Sequence, residues 1–475
     1  MKTLLFVCYL ATWAFIPHLL LLKKRPTATL AWLWAILFIP FLGALAYLFF
    51  GTDRLKRRRL KRRELFSARA TRRQIPAGTT DDATTGLVQA LPRRDRQFLQ
   101  LLSRINQLPV SSADHLRLLS DAGEFYPALE QRIVEAVHHI HLEFYIWQAD
   151  ETGARFLQLL AAAARRGVCV RLLLDGVGSH GFAEPLLADF TAAGGRFSWF
   201  QSLDPKRLRF FMNLRNHRKL QIIDGTIAFA GGMNIGREHE GRDAALGRWR
   251  DVQLEVTGPV AGELQEVFAD DWFFATGEKI TEARYYPVQS GSPQHPVHIV
   301  LGGPDRRNEP ISKSVVSLLN EASERVWIAT GYFVPDGIVL TALELAASRG
   351  VDVRLLISEK NDHPWLVTVG RSYYGELLAA GVRIFEYSAG IHHAKIALAD
   401  DHWAMVGSAN LDYRSMRLNF ELNLLFHSPA HNAELARILE HDFSLCQEID
   451  PAVFARRPFR RKFAEAALRP LSPLL

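Results

Sequence analysis

Cysteine is scarce in this sequence of 475 residues, and the positions of the three cysteines argue against a disulfide framework and against a zinc site. Cys8, Cys169 and Cys446 lie far apart in apolar surroundings, without a CxxC pair or a zinc-ligand spacing. We therefore expect neither a disulfide framework nor a zinc site, and a reducing compartment is the expected location. The sequence also lacks the P-loop pattern of nucleotide-binding enzymes. We predict no metal and no cofactor.

A net positive charge is lacking in the central part of the chain, although the formal net charge of the whole chain is +7. Residues 1–75 carry a net charge of +13 and residues 453–475 carry +5, which leaves −11 for residues 76–452. A protein that wraps a nucleic-acid backbone normally carries its positive charge in the folded body. Nucleic acid is therefore not an expected partner, and the basic ends indicate a different anionic surface.

Charged side chains are absent from residues 4–22 and 28–50. As a helix, each stretch is long enough to cross the hydrocarbon core of a bilayer, about 30 Å thick. The link between them is short, so we expect a two-helix transmembrane hairpin. Arg54–Arg63 follows with eight basic residues in ten, which by the positive-inside rule places the body on the cytoplasmic side of the inner membrane. The same stretch is expected to contact anionic lipid headgroups.

One pattern occurs twice, 176 positions apart, and it is the most informative feature of the chain. It reads His-x-Lys-x4-Asp-x6-Gly-(Gly/Ser)-x-Asn. Its copies are His217, Lys219, Asp224, Gly231, Gly232 and Asn234, and then His393, Lys395, Asp400, Gly407, Ser408 and Asn410. Imidazole, ammonium and carboxamide groups suit a phosphodiester, which needs a nitrogen nucleophile, a proton donor and fixed positive charge.

The sequence around the two copies predicts an internal repeat. The first half reads as strand 140–146, helix 155–166 and strand 168–174, and the second half as strand 326–333, helix 338–349 and strand 351–357. Strands that alternate with amphipathic helices indicate an α/β layered sheet in each half. We divide the chain into an anchor (1–53), a basic juxtamembrane segment and linker with a short helix (54–110), a first half (111–290), a second half (291–452) and a basic C-terminal segment (453–475).

Residues 217–230 predict a β-hairpin with a tight Asp-Gly turn. In a strand, His217 and Lys219 point to the same face, so both can contact one ligand. Asp224 lies at the far end of that strand, and we therefore predict a mainly structural role for Asp224 and for its counterpart Asp400. The partner strand returns towards the histidine.

The residues at the end of each pattern are predicted to bind the substrate phosphate. They are Asn234 in the first copy and Ser408 and Asn410 in the second. Small neighbouring residues would let backbone N–H groups approach an oxyanion there.

These residues resemble the phospholipase D superfamily, whose hallmark is the doubled His-Lys-Asp pattern, and more closely its bacterial cardiolipin synthase branch. The similarity covers nearly the whole chain. It includes Asp121–Phe125, Trp249–Asp251, Gly258–Pro259, Asn410–Ser415, Asn419–Glu421 and Ser472–Leu475. The resemblance implies two phospholipase D-like repeats, mixed sheets flanked by helices, which form one bilobal catalytic unit.

The resemblance also implies an activity. A phosphatidyl group would pass from one phosphatidylglycerol to the hydroxyl of another, with release of glycerol, so that phosphatidylglycerol and cardiolipin are the lipid partners. The superfamily's catalytic set matches His217, Lys219, Asp224, His393, Lys395 and Asp400. By analogy His217 attacks phosphorus and His393 is the acid and base, although the sequence itself does not order them.

Two further carboxylates are candidates for orienting the histidines. We expect Glu421 to fix the tautomer of His393, and Asp251 to do so for His217. Lys219 and Lys395 would balance the charge on the phosphoryl oxygens.

Several alternatives stay open at this point. A membrane phospholipase D that hydrolyses lipids to phosphatidic acid would use the same residues, and phosphatidylethanolamine could serve as a donor. A nuclease and a non-catalytic scaffold are disfavoured by the anchor and by the complete catalytic sets. The basic and aromatic residues 454–463 fit either a membrane contact or an ordinary capping segment. Oligomeric state is not indicated.

Overall fold

The computed structural model describes residues 12–21, 26–39, 41–47, 80–182, 184–200, 215–243, 246–306, 308–361 and 364–474. The chain divides into an N-terminal unit, residues 1–67 and 206–212, and a body, residues 68–205 and 213–475. The basic stretch Arg54–Arg63 lies outside the described residues, as do residues 4–11 of the first apolar run.

The described part of the N-terminal unit consists of three short helices. They are α1 Phe15–Leu21, α2 Pro26–Phe38 and α3 Leu42–Ala46. Helix α2 has 13 residues, and the chain bends after it at Ile39. Ile39 precedes a proline in the sequence, and the residue before a proline disfavours helical backbone. None of the helices in these stretches is long and apolar enough to cross a membrane. The continuous helices expected over residues 4–22 and 28–50 are thus not found in the described residues.

Strands occupy the centre of the body. Those of the first half are β2 His115–Leu119, β3 His139–Phe144, β4 Cys169–Leu174, β5 Arg196–Trp199, β6 Leu220–Ile223, β7 Ile227–Gly231, β8 Arg248–Arg250 and β9 Gln253–Thr257. The others are β1 Ser111–Ala113, β10 His295–Gly302, β11 Arg325–Thr330, β12 Phe333–Val334, β13 Asp352–Ser358, β14 Arg383–Tyr387, β15 Gly390–His392, β16 Ile396–Ala399, β17 Trp403–Gly407, β18 Leu411–Asp412, β19 Glu421–His427 and β20 Cys446–Glu448.

The two main sheets repeat one topology. The first has the order β2-β9-β7-β6-β3-β4-β5, and the second contains the matching run β10-β19-β17-β16-β11-β13-β14, flanked by β1 and β20. Strand β3 is parallel to β4 and antiparallel to β6, just as β11 is parallel to β13 and antiparallel to β16. The prediction of two α/β repeats with mixed sheets is therefore confirmed.

Helices cover the sheets. They are α4 Thr80–Gln89, α5 Arg93–Asn106, α6 Ala122–Glu135, α7 Glu151–Arg165, α8 Ala188–Ala192, α9 Pro259–Thr276, α10 Pro310–Glu321, α11 Gly337–Ser348, α12 Pro364–Arg371, α13 Tyr374–Ala379, α14 Tyr413–Arg417, α15 Pro429–Ser444, α16 Pro451–Ala455 and α17 Phe459–Leu468. The side chains of Asp121, Asp150 and Asp336 cap α6, α7 and α11, as short polar side chains do at helix N-termini.

One apolar core joins the two halves. It contains Leu220 and Ile222 of β6 together with Ile396 and Leu398 of β16, all fully or almost fully buried. Because β6 and β16 each follow the histidine and lysine of one copy of the doubled pattern, this shared core holds the two copies together.

Two features of the fold differ from expectation. Residues 80–106, predicted to be linker with one short helix, form α4 and α5, and α5 buries Phe98, Leu99 and Leu102 in the core of the second half. Strand β1 lies within the predicted first half but pairs with β10 of the second sheet. The apolar period of α5 is visible in the sequence, but its partner is not.

The predicted hairpin forms, but its first strand is shorter than expected. It begins at Leu220 instead of His217, and its register joins Ile223 to Ile227 around a three-residue turn, 224–226, in place of the expected two-residue turn. Asp224 and Gly225 in this turn have positive φ, 53° and 70°, which glycine adopts without strain and aspartate tolerates. The residues before Leu220 pair with the other half instead, through a bridge between Asn216 and Phe420.

Candidate active site

The two copies of the pattern converge on one site. His217 and Lys219 lie in the extended segment before β6, and His393 and Lys395 lie in the equivalent segment between β15 and β16. All four side chains are buried. They are close enough for each lysine to lower the pKa of both histidines.

Each histidine is held by a carboxylate from the opposite half. Nδ1 of His217 lies 3.1 Å from Oε2 of Glu421, and Nδ1 of His393 lies 2.7 Å from Oδ2 of Asp251. The expected pairs, Glu421 with His393 and Asp251 with His217, are therefore wrong. A carboxylate at Nδ1 fixes a proton on that nitrogen and leaves Nε2 to face the reacting group.

Backbone hydrogen bonds between the halves explain the crossed pairs. The N–H of His217 donates to the carbonyl of Phe420 at 2.9 Å, and the N–H of His393 donates to the carbonyl of Arg250 at 2.7 Å. Both acceptors immediately precede the carboxylate residue in the chain. Near His393 the contact is extended by β8 and β15, which pair in parallel. These contacts join distant parts of the sequence, and spacing alone could not reveal them.

The two lysines are fixed against the backbone of the histidines. Nζ of Lys219 donates to the carbonyl of His217 at 2.8 Å, and Nζ of Lys395 donates to the carbonyl of His393. Burial lowers the pKa of Lys219 to about 7, with a further lowering by Lys395 that Glu421 opposes. Ammonium groups held in this way can balance negative charge on phosphoryl oxygens.

Burial also dominates the other ionisable groups of the site. It lowers the pKa of His217, and it takes the pKa of His393 well below its ordinary value with help from Lys395. Burial acts to raise the pKa of Glu421, but the charge of His217 and its hydrogen bond outweigh it and the pKa is lowered. Burial raises the pKa of Asp251. Burial thus favours the neutral form of both imidazole rings in the free site.

The candidate phosphate-binding residues differ from one another. Oδ1 of Asn234 accepts the N–H of Ile146 at 3.1 Å, so its amide NH₂ is the end that can donate to a phosphate. Oδ1 of Asn410 is buried and has no hydrogen-bond partner.

Ser408 contacts the carboxylate that holds His217. Its hydroxyl donates to Oε2 of Glu421 at 2.5 Å and accepts the N–H of Leu422 at 3.0 Å. The proton of the hydroxyl is therefore engaged in orienting that carboxylate, and the phosphate-binding role stays a prediction.

Asp224 and Asp400 serve as backbone acceptors. The carboxylate of Asp224 accepts the N–H groups of residues 137, 138 and 139 at 2.8–2.9 Å, at the start of β3. Asp400 does the same for residues 323, 324 and 325 at the start of β11. These contacts agree with a structural role.

Sequence reasoning missed several residues that support the site. Asp175 follows β4 and accepts the N–H of Asn216 at 2.7 Å, which fixes the residue before His217. Arg218 is buried, pairs with Asp271 of α9, and donates to the carbonyl of Glu421. The sequence held one signal for Arg218. Side chains alternate between the two faces of a strand, so Arg218 must point away from the face that His217 and Lys219 share.

His392, which directly precedes His393 in the chain, does not belong to the cluster. Its Nε2 lies 3.1 Å from Asp442 of α15, and the same carboxylate accepts from Nε of Arg250 at 3.0 Å. This network supports the backbone that carries His393.

Among the described residues, one group could geometrically hold a metal ion. It consists of Asp95, His402 and His427, with 3.4 Å between Oδ1 of Asp95 and Nε2 of His402. The same oxygen of Asp95 accepts from Nε1 of Trp403, and Nδ1 of His402 lies 2.6 Å from Asp401. The group connects α5 to the second sheet and is separate from the doubled pattern.

Two family models match the chain. The family described as cardiolipin synthase, PLD-like domain, matches residues 129–272 and 315–443, which is more than half of the sequence. The family described as phospholipase D-nuclease N-terminal matches residues 10–51.

Curated relatives match over almost the full length. The cardiolipin synthase of Geobacillus thermodenitrificans is 38% identical over 95% of this chain and 90% of its own. The cardiolipin synthase of Halalkalibacterium halodurans is 34% identical over 98% of this chain and 92% of its own.

Solved structures share the fold. The crystal structure of phosphatidylserine synthase from Haemophilus influenzae Rd KW20 covers 81% of this chain and 100% of its own, with a TM-score of 0.58 and 15% identity. Polyphosphate kinase from Porphyromonas gingivalis covers 82% of this chain and 56% of its own, with a TM-score of 0.50 and 14% identity.

Proposed function

We propose that this chain, which belongs to the cardiolipin synthase family and is a phosphatidyltransferase, joins two phosphatidylglycerol molecules. One molecule gives its phosphatidyl group to the glycerol hydroxyl of the other. Cardiolipin and free glycerol are the products. The observation that carries this proposal is the pair of crossed histidine–carboxylate contacts around two buried lysines.

In the first step of the proposed mechanism, Nε2 of His217 attacks phosphorus. The bound phosphodiester anion favours the doubly protonated ring of His393. The bond between phosphorus and the glycerol oxygen breaks, and Nε2–H of that charged ring gives its proton to the oxygen. The product is a phosphatidyl-histidine. Glu421 supports this step because it holds the Nδ1 proton of His217 and stabilises positive charge on the ring.

In the second step, the hydroxyl of an incoming phosphatidylglycerol attacks the same phosphorus. Nε2 of His393 takes the hydroxyl proton, and the bond between phosphorus and His217 breaks. One phosphodiester replaces another, so no nucleotide is consumed. Lys219 and Lys395 balance the charge on the phosphoryl oxygens in both steps.

Purified full-length protein tests this proposal. With phosphatidylglycerol alone in mixed micelles, it should form cardiolipin and an equal amount of glycerol, and H217A and H393A should each abolish both. The reaction should persist in EDTA, because the two ammonium groups already provide positive charge at the phosphoryl oxygens. Phosphatidic acid as the main product would mean that water is the acceptor, and strict dependence on an added divalent metal would contradict the mechanism.

We also propose that residues 1–53 anchor the chain in the inner membrane and that the body lies on its cytoplasmic side. Support comes from the two runs without charged residues, from the family match over residues 10–51, and from the exposed apolar side chains of Trp34 and Phe38 on α2. Arg54–Arg63 would contact anionic headgroups. Carbonate-washed membranes should retain the full chain and release a chain that lacks residues 1–53; release of both would contradict the anchor.

A further inference from the structure

Buried polar atoms without a hydrogen-bond partner collect beside His393. Neither ring nitrogen of His239 has such a partner, although the residue is only 2% exposed. The Nε1–H of Trp249 and Oδ1 of Asn410 are buried and unpartnered as well. Buried polar groups are nearly always hydrogen-bonded in folded proteins, so such a concentration points to a ligand that supplies the missing partners.

Contacts place these three side chains next to the reacting histidine. The ring of Trp249 lies 4.6 Å from that of His239 and 5.3 Å from that of His393. Its position is set by the pairing of β8 with β15, in which Trp249 lies opposite Ile391. Asn410 and His393 both border Gly331, where an added Cβ would lie 3.4 Å from Oδ1 of Asn410 and 3.0 Å from Cδ2 of His393.

Among the residues that the structure describes, the side of the site around His217 shows no such set. Asn419 corresponds to Trp249, since each stands two residues before the carboxylate that holds a histidine. Its Nδ2 donates to Oε1 of Glu421 at 3.3 Å, and its Oδ1 accepts from Arg414 at 3.4 Å. Asn234, the counterpart of Asn410, has its Oδ1 occupied by the N–H of Ile146. The asymmetry distinguishes two otherwise related halves.

We propose that His239, Trp249 and Asn410 form a glycerol subsite, which binds the headgroup hydroxyls of phosphatidylglycerol beside His393. The proposal deepens the proposed function and rests on it. A neutral imidazole offers one donor and one acceptor, the indole offers a donor, and the carboxamide oxygen offers an acceptor. Two vicinal hydroxyls, each both donor and acceptor, complement this set.

The ionisation of His239 fits this role. Burial, and the charge of nearby His393, lower the pKa of His239 to about 3, so the ring is neutral near pH 7. The carboxylate of Glu238 lies 3.5 Å from Nε2 of His239, but the two groups form no hydrogen bond. A neutral ring can accept as well as donate, which a protonated ring cannot.

The subsite also orders the two histidines. The departing glycerol oxygen bound beside His393 can receive the Nε2 proton, and the hydroxyl of an acceptor that takes its place can give one back to the ring. The subsite lies beside His393, so His393 is then the acid and base, and His217 is the nucleophile. The subsite would also favour a diol over water as the acceptor.

The test separates transfer from formation of the intermediate. A phosphatidyl donor with a p-nitrophenol leaving group requires no glycerol contact in the first step, so the initial burst of p-nitrophenol release reports formation of the intermediate alone. Full-length protein is given this donor with glycerol or ethanol as competing acceptors. The readouts are the glycerol-to-ethanol product ratio and the fraction lost to water as phosphatidic acid.

H239F and W249F should each lower the glycerol-to-ethanol ratio by about tenfold, the value of one hydrogen bond, and increase the share of phosphatidic acid. H239Q, which keeps a donor and an acceptor, should recover part of the ratio. H298F is the matched control, because His298 is fully buried on β10 and belongs to no part of the site; its ratio should equal that of the unmodified chain. Should H239F fail to fold, W249F carries the test.

A glycerol-to-ethanol ratio unchanged in both H239F and W249F, with p-nitrophenol release intact, would overturn the subsite. An equal fall in H298F would assign the effect to general loss of structure and would overturn it as well. Absence of p-nitrophenol release from the unmodified chain would instead contradict the proposed function itself. The two failures are thus distinguishable.

Discussion

At the scale of single residues, the crossed carboxylates make each half of the body dependent on the other. Glu421 belongs to the second half and holds His217 of the first, while Asp251 of the first half holds His393 of the second. Neither half alone contains a histidine with its orienting partner. The catalytic unit is therefore the complete body.

Neutral substitutions of the two carboxylates should have selective effects. Glu421→Gln should remove the downfield Nδ1–H resonance of His217 and keep that of His393, and Asp251→Asn should do the opposite. Each should lower kcat by about 10³- to 10⁴-fold, since an amide stabilises the wrong tautomer. Nitrogen-15 labelling of histidine makes both resonances visible by NMR. Loss of the His393 resonance in Glu421→Gln would contradict the crossed arrangement.

The lowered pKa of Lys219 predicts how binding depends on pH. In the free site this pKa is about 7, and an anionic phosphodiester favours the charged ammonium. The bound site therefore holds more protons than the free site above pH 7, and affinity should fall as pH rises, by up to about tenfold per unit. Titration calorimetry with glycerophosphoglycerol between pH 6 and 9 measures this.

Lys219→Met provides the control for that dependence. It should bind more weakly near pH 6 and lose most of the slope between pH 7 and 9. An equal slope in the variant would assign the titration to another group.

Much of this residue-level site could be predicted from the sequence. The doubled spacing named His217, Lys219, His393 and Lys395, because strand alternation places them on one face. The crossed pairs and the hydroxyl contact of Ser408 could not be predicted, because they arise from backbone contacts between residues more than 140 positions apart or on neighbouring strands. Spacing within one motif holds no information about them.

At the scale of elements, the residue that contacts the orienting carboxylate from the neighbouring strand differs between the two repeats. Gly232 stands at the end of β7, where an added Cβ would lie 2.2 Å from Oδ1 of Asp251. Ser408 stands at the end of β17 and donates to the longer side chain of Glu421. Glycine thus lies beside the shorter side chain of Asp251, and serine beside the longer side chain of Glu421. Each repeat therefore positions the carboxylate next to it in its own way.

Substitutions of Gly232 and Ser408 test how these residues position the two carboxylates. Gly232→Ser should displace Asp251 from His393 and lower kcat by about a hundredfold, as expected for a misplacement of about 1 Å. Ser408→Ala, the matched change in the other repeat, leaves Glu421 in place and should cost about 1 kcal/mol of stability with a smaller loss of activity. Assay of both variants, with thermal melting, gives the comparison. Similar activity losses in the two would contradict it.

The elements themselves were largely predictable. Strands β3 and β4 and helix α11 fall within a few residues of the predicted bounds, because apolar periodicity sets them. The start of β6 was predicted three residues early, since residues 216 and 217 pair with Phe420 of the other half and not within the hairpin. Contacts between distant elements override local pattern there.

At the scale of the whole molecule, net positive charge is found at the two chain ends. Residues 76–452 between them are acidic, and helix α17 exposes Phe459 and Phe463, 78% and 64% accessible, among Arg460, Arg461 and Lys462. The sequence left a membrane contact and a capping segment as alternatives. The exposure of both rings favours the first, because a capping helix would bury them.

Substitution of both phenylalanines by serine distinguishes a membrane contact from a capping segment. A chain with Phe459→Ser and Phe463→Ser should need a higher surface concentration of phosphatidylglycerol for half-maximal rate in mixed micelles, while kcat stays unchanged. Aromatic side chains at an interface strengthen binding to the lipid surface and do not contribute to the chemical step. Val288→Ser removes an equally exposed apolar side chain, 84% accessible, and should have no effect. If the helix only caps the fold, both chains would show the same surface dependence, and the double variant would differ in its melting temperature alone.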